Sequence, residues 1–139
     1  MISFFYETDF EISNETIWNN WLESAMEKEG FEPGEINYIF CDDEYLLQIN
    51  IQYLQHDYYT DVIGFQYSEG KALSGDIYIS VDRVKENAVD NNVSFKKELA
   101  RVMIHGILHF MNYKDKTAKE IEKMRNAENK YLSFFDELN

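Results

Sequence analysis

At 139 residues, 45% hydrophobic and 16% aromatic, the chain can bury one substantial core and is too short for two comfortable domains. A formal net charge of -13 argues against a general polyanion binder, and a single cysteine, Cys41, excludes an internal disulfide. No apolar run approaches the roughly 20 residues of a membrane helix and no basic-then-apolar leader opens the chain, so a cytoplasmic protein without membrane contact is expected.

ISFFYE reads as a strand, aromatic and β-branched, with FEIS either extending it or forming a separate edge. Asn14 reads as the cap of a helix whose buried face is Ile17, Trp18, Trp21, Leu22, Ala25 and Met26, closed by Gly30, Pro33 and Gly34. INYIFC is the next strand, and DDEYLLQINIQYL a short helix whose acidic start suits the helix dipole. YTDVIGFQY and GDIYIS are two β-like segments, joined by the polar loop SEGKALS and able to pair as a hairpin. Residues 82 to 93 read as a polar link. Ser94 then caps a helix, FKKELARVMIHGILHFM, that is apolar nearly all round and so belongs in the middle of the fold. At Thr117 the capping-box sequence TAKE opens a last helix, with Ile121, Met124, Tyr131, Leu132 and Phe135 as its buried stripe.

Charge is spread unevenly. Residues 1 to 76 carry 16 acidic and 2 basic side chains, residues 77 to 139 carry 10 acidic and 11 basic ones, and an anionic partner is expected at the C-terminal half. A solubilising acidic surface with no partner is the plainer reading of charge alone.

Within the central helix, His105 and His109 are four positions apart and project from one side, about 6 Å apart along the axis. That spacing suits two imidazoles converging on one metal ion, and it is equally compatible with two satisfied core histidines. Asn112 can end the helix in the left-handed conformation and swing the chain back, which hangs Asp115 near the open side of the histidines. The resulting set, His105, His109 and Asp115, leaves a divalent ion a free coordination position and the capacity to lower the pKa of bound water. Gly106 stands where zinc peptidases carry their glutamate base, which disfavours peptidase chemistry. A glycine inside a helix also implies that backbone or substrate approaches closely there.

HGILHFMNYKD resembles the signature of the YbeY endoribonucleases, bacterial rRNA-maturation factors whose motif reads H-G-x-L-H-L-x-G-Y-D-H. Upstream, INIQYLQHDYYTDVIGF is similar to the family block L-N-x-x-Y-R-x-x-D-x-x-T-D-V-L-S-F, and GDIYIS to G-D-I-x-I-S, in the family's order from about residue 46 to 115. The chain departs from the pattern in three places. Asp115 falls where the family has its third histidine, Asn112 replaces the motif glycine, and Leu54 replaces the arginine, a loss of phosphate contact that bears on nuclease strength.

The resemblance implies one α+β domain over 1–139: a small mixed, mostly parallel sheet packed with helices, with a central buried helix carrying the metal motif. It implies a metal-dependent, single-strand-specific endoribonuclease acting in rRNA maturation and ribosome quality control. The substrate would be single-stranded RNA or an rRNA precursor, the partner the small ribosomal subunit, and the cofactor one divalent ion. Zinc is the first choice, with nickel, manganese or iron compatible with the harder ligand set. By resemblance, Asn50, Thr60 and Asp61 line or brace the cleft, although Asn50 also suits a cap and Asp61 a turn. Glu98, close to His105 around the helix, can orient a ligating imidazole, and Arg101 can face a phosphate or, as preferred here, pair with Glu98. Lys114, Lys116, Lys119 and Lys123 are candidates for tracking an RNA backbone, while His56, outside the motif, reads as a surface residue. The alternatives are a metal-dependent hydrolase of a small molecule and a non-catalytic ribosome-assembly factor.

Overall fold

Two parallel pairings hold the sheet in a computed structural model that describes residues 1–67 and 70–135. In chain order the elements are β1 (Ile2–Tyr6), α1 (Glu15–Lys28), β2 (Glu32–Cys41), α2 (Asp43–Ile49) followed by a π-helical turn (Asn50–Leu54), β3 (Val62–Gln66), β4 (Ala72–Ser80), α3 (Val81–Asp90), α4 (Phe95–Phe110) and α5 (Ala118–Ser133). The strand order is β1-β2-β4-β3, with β1 and β4 both parallel to β2. β3 returns antiparallel on β4, from Val62 opposite Ile79 to Gln66 opposite Gly75, so the expected hairpin forms. Of its expected loop, residues 68 and 69 lie outside the described residues.

Alternation along β2 and β4 puts Ile36, Tyr38, Phe40, Leu73, Ile77 and Ile79 on one face, where Trp18, Leu22 and Met26 of α1 and the apolar side chains of α4 and α5 cover them. On the opposite face a smaller core gathers Cys41, Leu46 and Ile63 against Ile49, Phe65 and Tyr78. Cys41 is buried, and the loss of solvation raises its thiol pKa to about 12. The fold is thus a single α+β domain with α4 at its centre, apolar on nearly every side from Leu99 to Phe110.

Five local expectations are revised. FEIS forms no strand, because Phe10 leaves the sheet edge to pack on Tyr6, Phe40 and Phe95. Asn14 adopts φ 62° and makes no side-chain cap, a role that needs extended backbone. Pro33 and Gly34 lie inside β2, where the register with β4 shifts, and the turn after α1 is made by Gly30 at φ 85°. The segment read as a polar link is α3, capped by the Ser80 hydroxyl and anchored by Val81, Val84 and Ala88, whose helical i, i+3, i+7 spacing is masked by the charged residues between them. On α5, Ile121 is exposed, and Ala127 and Glu128 join Met124, Tyr131 and Leu132 on the buried face.

The start of α2 is tied to the end of β4 by one carboxylate. Asp43 accepts hydrogen bonds from the Ser80 hydroxyl at 2.6 Å and from Arg83 Nη2 at 2.8 Å. Burial alone raises its pKa, but the bonds from Arg83 and Ser80 outweigh it and hold the carboxyl below its ordinary 3.8. Such a group contributes stability that is fully present above the unfolded-state value and lost as pH falls through the folded-state value. Asp43→Asn is therefore expected to lower neutral-pH stability by about 1 kcal/mol. Between about pH 7 and about pH 3, its urea midpoint should fall less than that of the wild type.

Candidate metal centre

The last two turns of α4 carry the two histidines. His105 Nε2 and His109 Nε2 lie 3.0 Å apart, and Asp115 Oδ2 lies 3.2 Å from His109 Nε2 and 3.5 Å from His105 Nε2. Donors at 2.0 to 2.1 Å around a tetrahedral ion are separated by about 3.3 Å, so this triangle has the edge lengths of a filled site. The donor set of two imidazole nitrogens and one carboxylate oxygen also suits a divalent cation. His109 and Asp115 keep 38% and 40% of their side-chain surface exposed, so the centre opens to solvent.

Asp115 reaches this position through two local devices. Asn112, at φ 74°, turns the chain back; its N–H donates to the His109 carbonyl, and that of Tyr113 to the Leu108 carbonyl. On the other side the Thr117–Glu120 capping box opens α5, and Glu120 Oε1 also accepts from the Lys116 and Thr117 N–H groups. Tyr113 donates its hydroxyl to Glu29 at the end of α1, as does Tyr131 of α5.

Behind the histidines stands Glu128. Its Oε2 lies 2.6 Å from His105 Nδ1 and its Oε1 accepts from Arg101 Nη1 at 2.9 Å; the carboxylate is 5% exposed. Burial disfavours charge on both partners, yet the hydrogen bond between them wins: the pKa of His105 rises above 6.5 and that of Glu128 falls below 4.5, with Arg101 adding to the latter. Glu98, expected in this role, is buried near the start of α4 and accepts from Asn91. Two turns separate it from His105, a rise of about 10 Å that its side chain does not span. The ion pair expected between Arg101 and Glu98 is instead made with Glu128, while Arg101 Nη2 donates to Asn129. Glu128 was readable as a carboxylate falling in the buried register of α5, between Met124 and Tyr131.

A cleft of 690 Å³ opens over the triad. Thr60 and Asp61 line it, as does His56, an exposed residue, as expected, that lies outside the sequence motif. The Asp61 carbonyl accepts from the Ser80 N–H and its carboxylate from Asn87, and burial pushes its pKa above 3.8. Asn50, 1% exposed, braces the loop beyond the π turn. Leu54 also reaches the cleft, and of the four lysines only Lys116 does; Lys123 lies over the Tyr113 ring, 5.4 Å from its centroid. What approaches Gly106 is Ile77 of β4: a Cβ there would lie 3.1 Å from Ile77 Cγ2.

The family model described as Endoribonuclease YbeY matches residues 5–136. A curated Endoribonuclease YbeY from Flavobacterium psychrophilum is 57% identical over 135 residues, covering 97% of this chain and 96% of the relative. The protein of the same name from Flavobacterium johnsoniae is 52% identical over 135 residues, covering 97% of each. Among solved structures, the solution structure of TM1509 from Thermotoga maritima superposes with a TM-score of 0.69 at 30% identity, covering 96% of this chain and 87% of that one.

Removing the carboxylate behind the histidines would take from Arg101 its ion pair and from His105 Nδ1 its acceptor in a largely dry setting. Glu128→Ala is expected to lower unfolding free energy by about 3 kcal/mol, and Arg101→Ala by less, because His105 still holds Glu128. Denaturant melts of the two variants and their double mutant check this, the double mutant falling short of the summed losses.

Proposed function

The chain belongs to the YbeY endoribonuclease family, and on that premise we propose that it cleaves single-stranded RNA with one divalent ion held by His105, His109 and Asp115. The observation that carries the reading is the triangle of Nε2, Nε2 and Oδ2, with edges of 3.0, 3.2 and 3.5 Å, facing an open cleft. Zinc suits the two imidazoles best, and the carboxylate keeps manganese, nickel and iron compatible. An ion bound there supplies Lewis acidity to a phosphodiester and its attacking water.

The protein's own groups prepare that centre. Glu128 accepts a hydrogen bond from the Nδ1–H of His105, which leaves Nε2 as the lone-pair face turned to the triad. The turn at Asn112 and the capping box at Thr117 hold Asp115 in place before any ligand arrives. Lys116, the lysine lining the cleft, is placed to offset charge on a phosphate oxygen. The same reading treats 1–139 as one domain and puts the activity in the cytoplasm, on rRNA precursors and the small ribosomal subunit, in rRNA maturation and quality control. Family membership supports it, and among the described residues no helix is long and apolar enough to cross a membrane.

One observation favours a second reading, hydrolysis of a small phosphoester: apart from Lys116, no lysine or arginine among the described residues lines the cleft. The wild type is expected to bind about one equivalent of metal and to cleave single-stranded RNA in a chelator-sensitive way. His109→Ala and Asp115→Ala should lose the metal and at least about a hundred-fold in cleavage rate. Metal analysis and an RNA cleavage assay on the three proteins decide it. Equal RNA cleavage in all three overturns the reading, and cleavage confined to small phosphoesters favours the second.

A further inference from the structure

The cleft that holds the triad has a second wall of different chemistry, made by Leu54, His56 and Tyr58. The His56 and Tyr58 rings stack with centroids 5.1 Å apart and planes within 18° of parallel, and the Tyr58 hydroxyl lies 2.9 Å from His56 Nδ1. Tyr58 is 55% exposed, so a large aromatic surface is left in water beside the metal centre.

This pair is held from beneath. Gln55, at φ 59°, ends the π turn and redirects the chain. Asn50 then grips the loop twice: its carbonyl accepts the His56 N–H at 3.1 Å and its side-chain amide donates to the Tyr58 carbonyl at 2.9 Å. With the backbone of both residues held, less of the loop has to be ordered when a ligand binds, which lowers the entropy cost of binding one.

Local charge says what the ligand uses. Away from the metal centre itself, Lys116 shares the cleft with Asp61 and Asp115, so the side chains add little net attraction for further phosphates. A nucleobase offers a π face whatever the surrounding charge, provided that it is unpaired and unstacked. We propose that the stacked His56 and Tyr58 rings form a platform that seats one unpaired nucleobase of single-stranded RNA beside the metal centre, with Leu54 as its apolar flank. The assignment rests on the endoribonuclease reading and adds the group by which the substrate is gripped. Its consequences are a preference for purines, whose larger faces stack better, and a shallow salt dependence. Single strands lose about 0.7 in log affinity per log unit of salt for each phosphate contact, and few contacts are available here.

The test uses the full chain with its metal and two non-cleavable probes followed by fluorescence anisotropy. One is a short 2′-O-methyl oligoadenylate; the other is an abasic oligomer with the same number of phosphates. The wild type should prefer the oligoadenylate. Tyr58→Ala should weaken that binding about ten-fold or more, leaving the abasic oligomer unaffected, while Tyr58→Phe stays within about three-fold of the wild type. In cleavage of single-stranded RNA, Tyr58→Ala should raise KM with kcat nearly unchanged. A Tyr58→Ala protein that binds both probes as the wild type does, or a wild type that does not distinguish them, overturns the platform. If the wild type still cleaves RNA in that case, the endoribonuclease reading survives without it. A wild type that neither binds nor cleaves RNA overturns both.

Discussion

Where α4 crosses β4 the helix has no side chain, and the contact this permits sets the depth of the whole site. Gly106 lies against Ile77 so closely that an added Cβ would stand 3.1 Å from Ile77 Cγ2, and the residues flanking it in the helix are buried on nearly all sides. A helix packed that closely resists rotation and sliding, because interiors at crystal-like density transmit strain. His105 and His109 therefore emerge into the cleft at a height fixed by the core. The other parts of the centre are adjusted to that height: Glu128 arrives from α5 behind the rings and Asp115 from the loop in front.

How far this was legible in the sequence depends on where each part lies along the chain. The histidine spacing, the turn at Asn112, the position of Asp115 and the capping box at Thr117 are all local. Helix geometry brings them together without knowledge of the tertiary fold. The partner of His105 was assigned to Glu98 because both are on one helix face, yet sharing a face does not bridge two turns of rise. Glu128 is 23 residues away and meets His105 only because α5 packs on α4. A different cause applies to α3. Its buried residues Val81, Val84 and Ala88 do recur at i, i+3 and i+7 on one face, so the helical period was present and was masked by the polar composition of the segment.

Electrostatics inside the site are local even though the chain is strongly acidic. Arg101 and Glu128 pair with one another at low exposure, and the second oxygen of the same carboxylate meets the His105 imidazole at 2.6 Å. Of the lysines after the triad, Lys116 alone reaches the cleft. Beside that one lysine the cleft presents aromatic and apolar surface from Leu54, His56 and Tyr58, whose contacts do not scale with charge.

Glu29 stitches the first helix to the far end of the chain. Its carboxylate accepts the hydroxyls of Tyr113, two residues before Asp115, and of Tyr131 on α5, so the first third of the chain bears directly on the loop that presents the third donor. All three donors lie between residues 105 and 115, which invites the idea of a minimal peptide cut from the C-terminal half. Such a fragment would lack the anchor for Tyr113 as well as the sheet under Gly106. The smallest unit able to assemble the centre is therefore far longer than the stretch that supplies its donors, and the donor-bearing segment is not transplantable as a cassette into an unrelated scaffold.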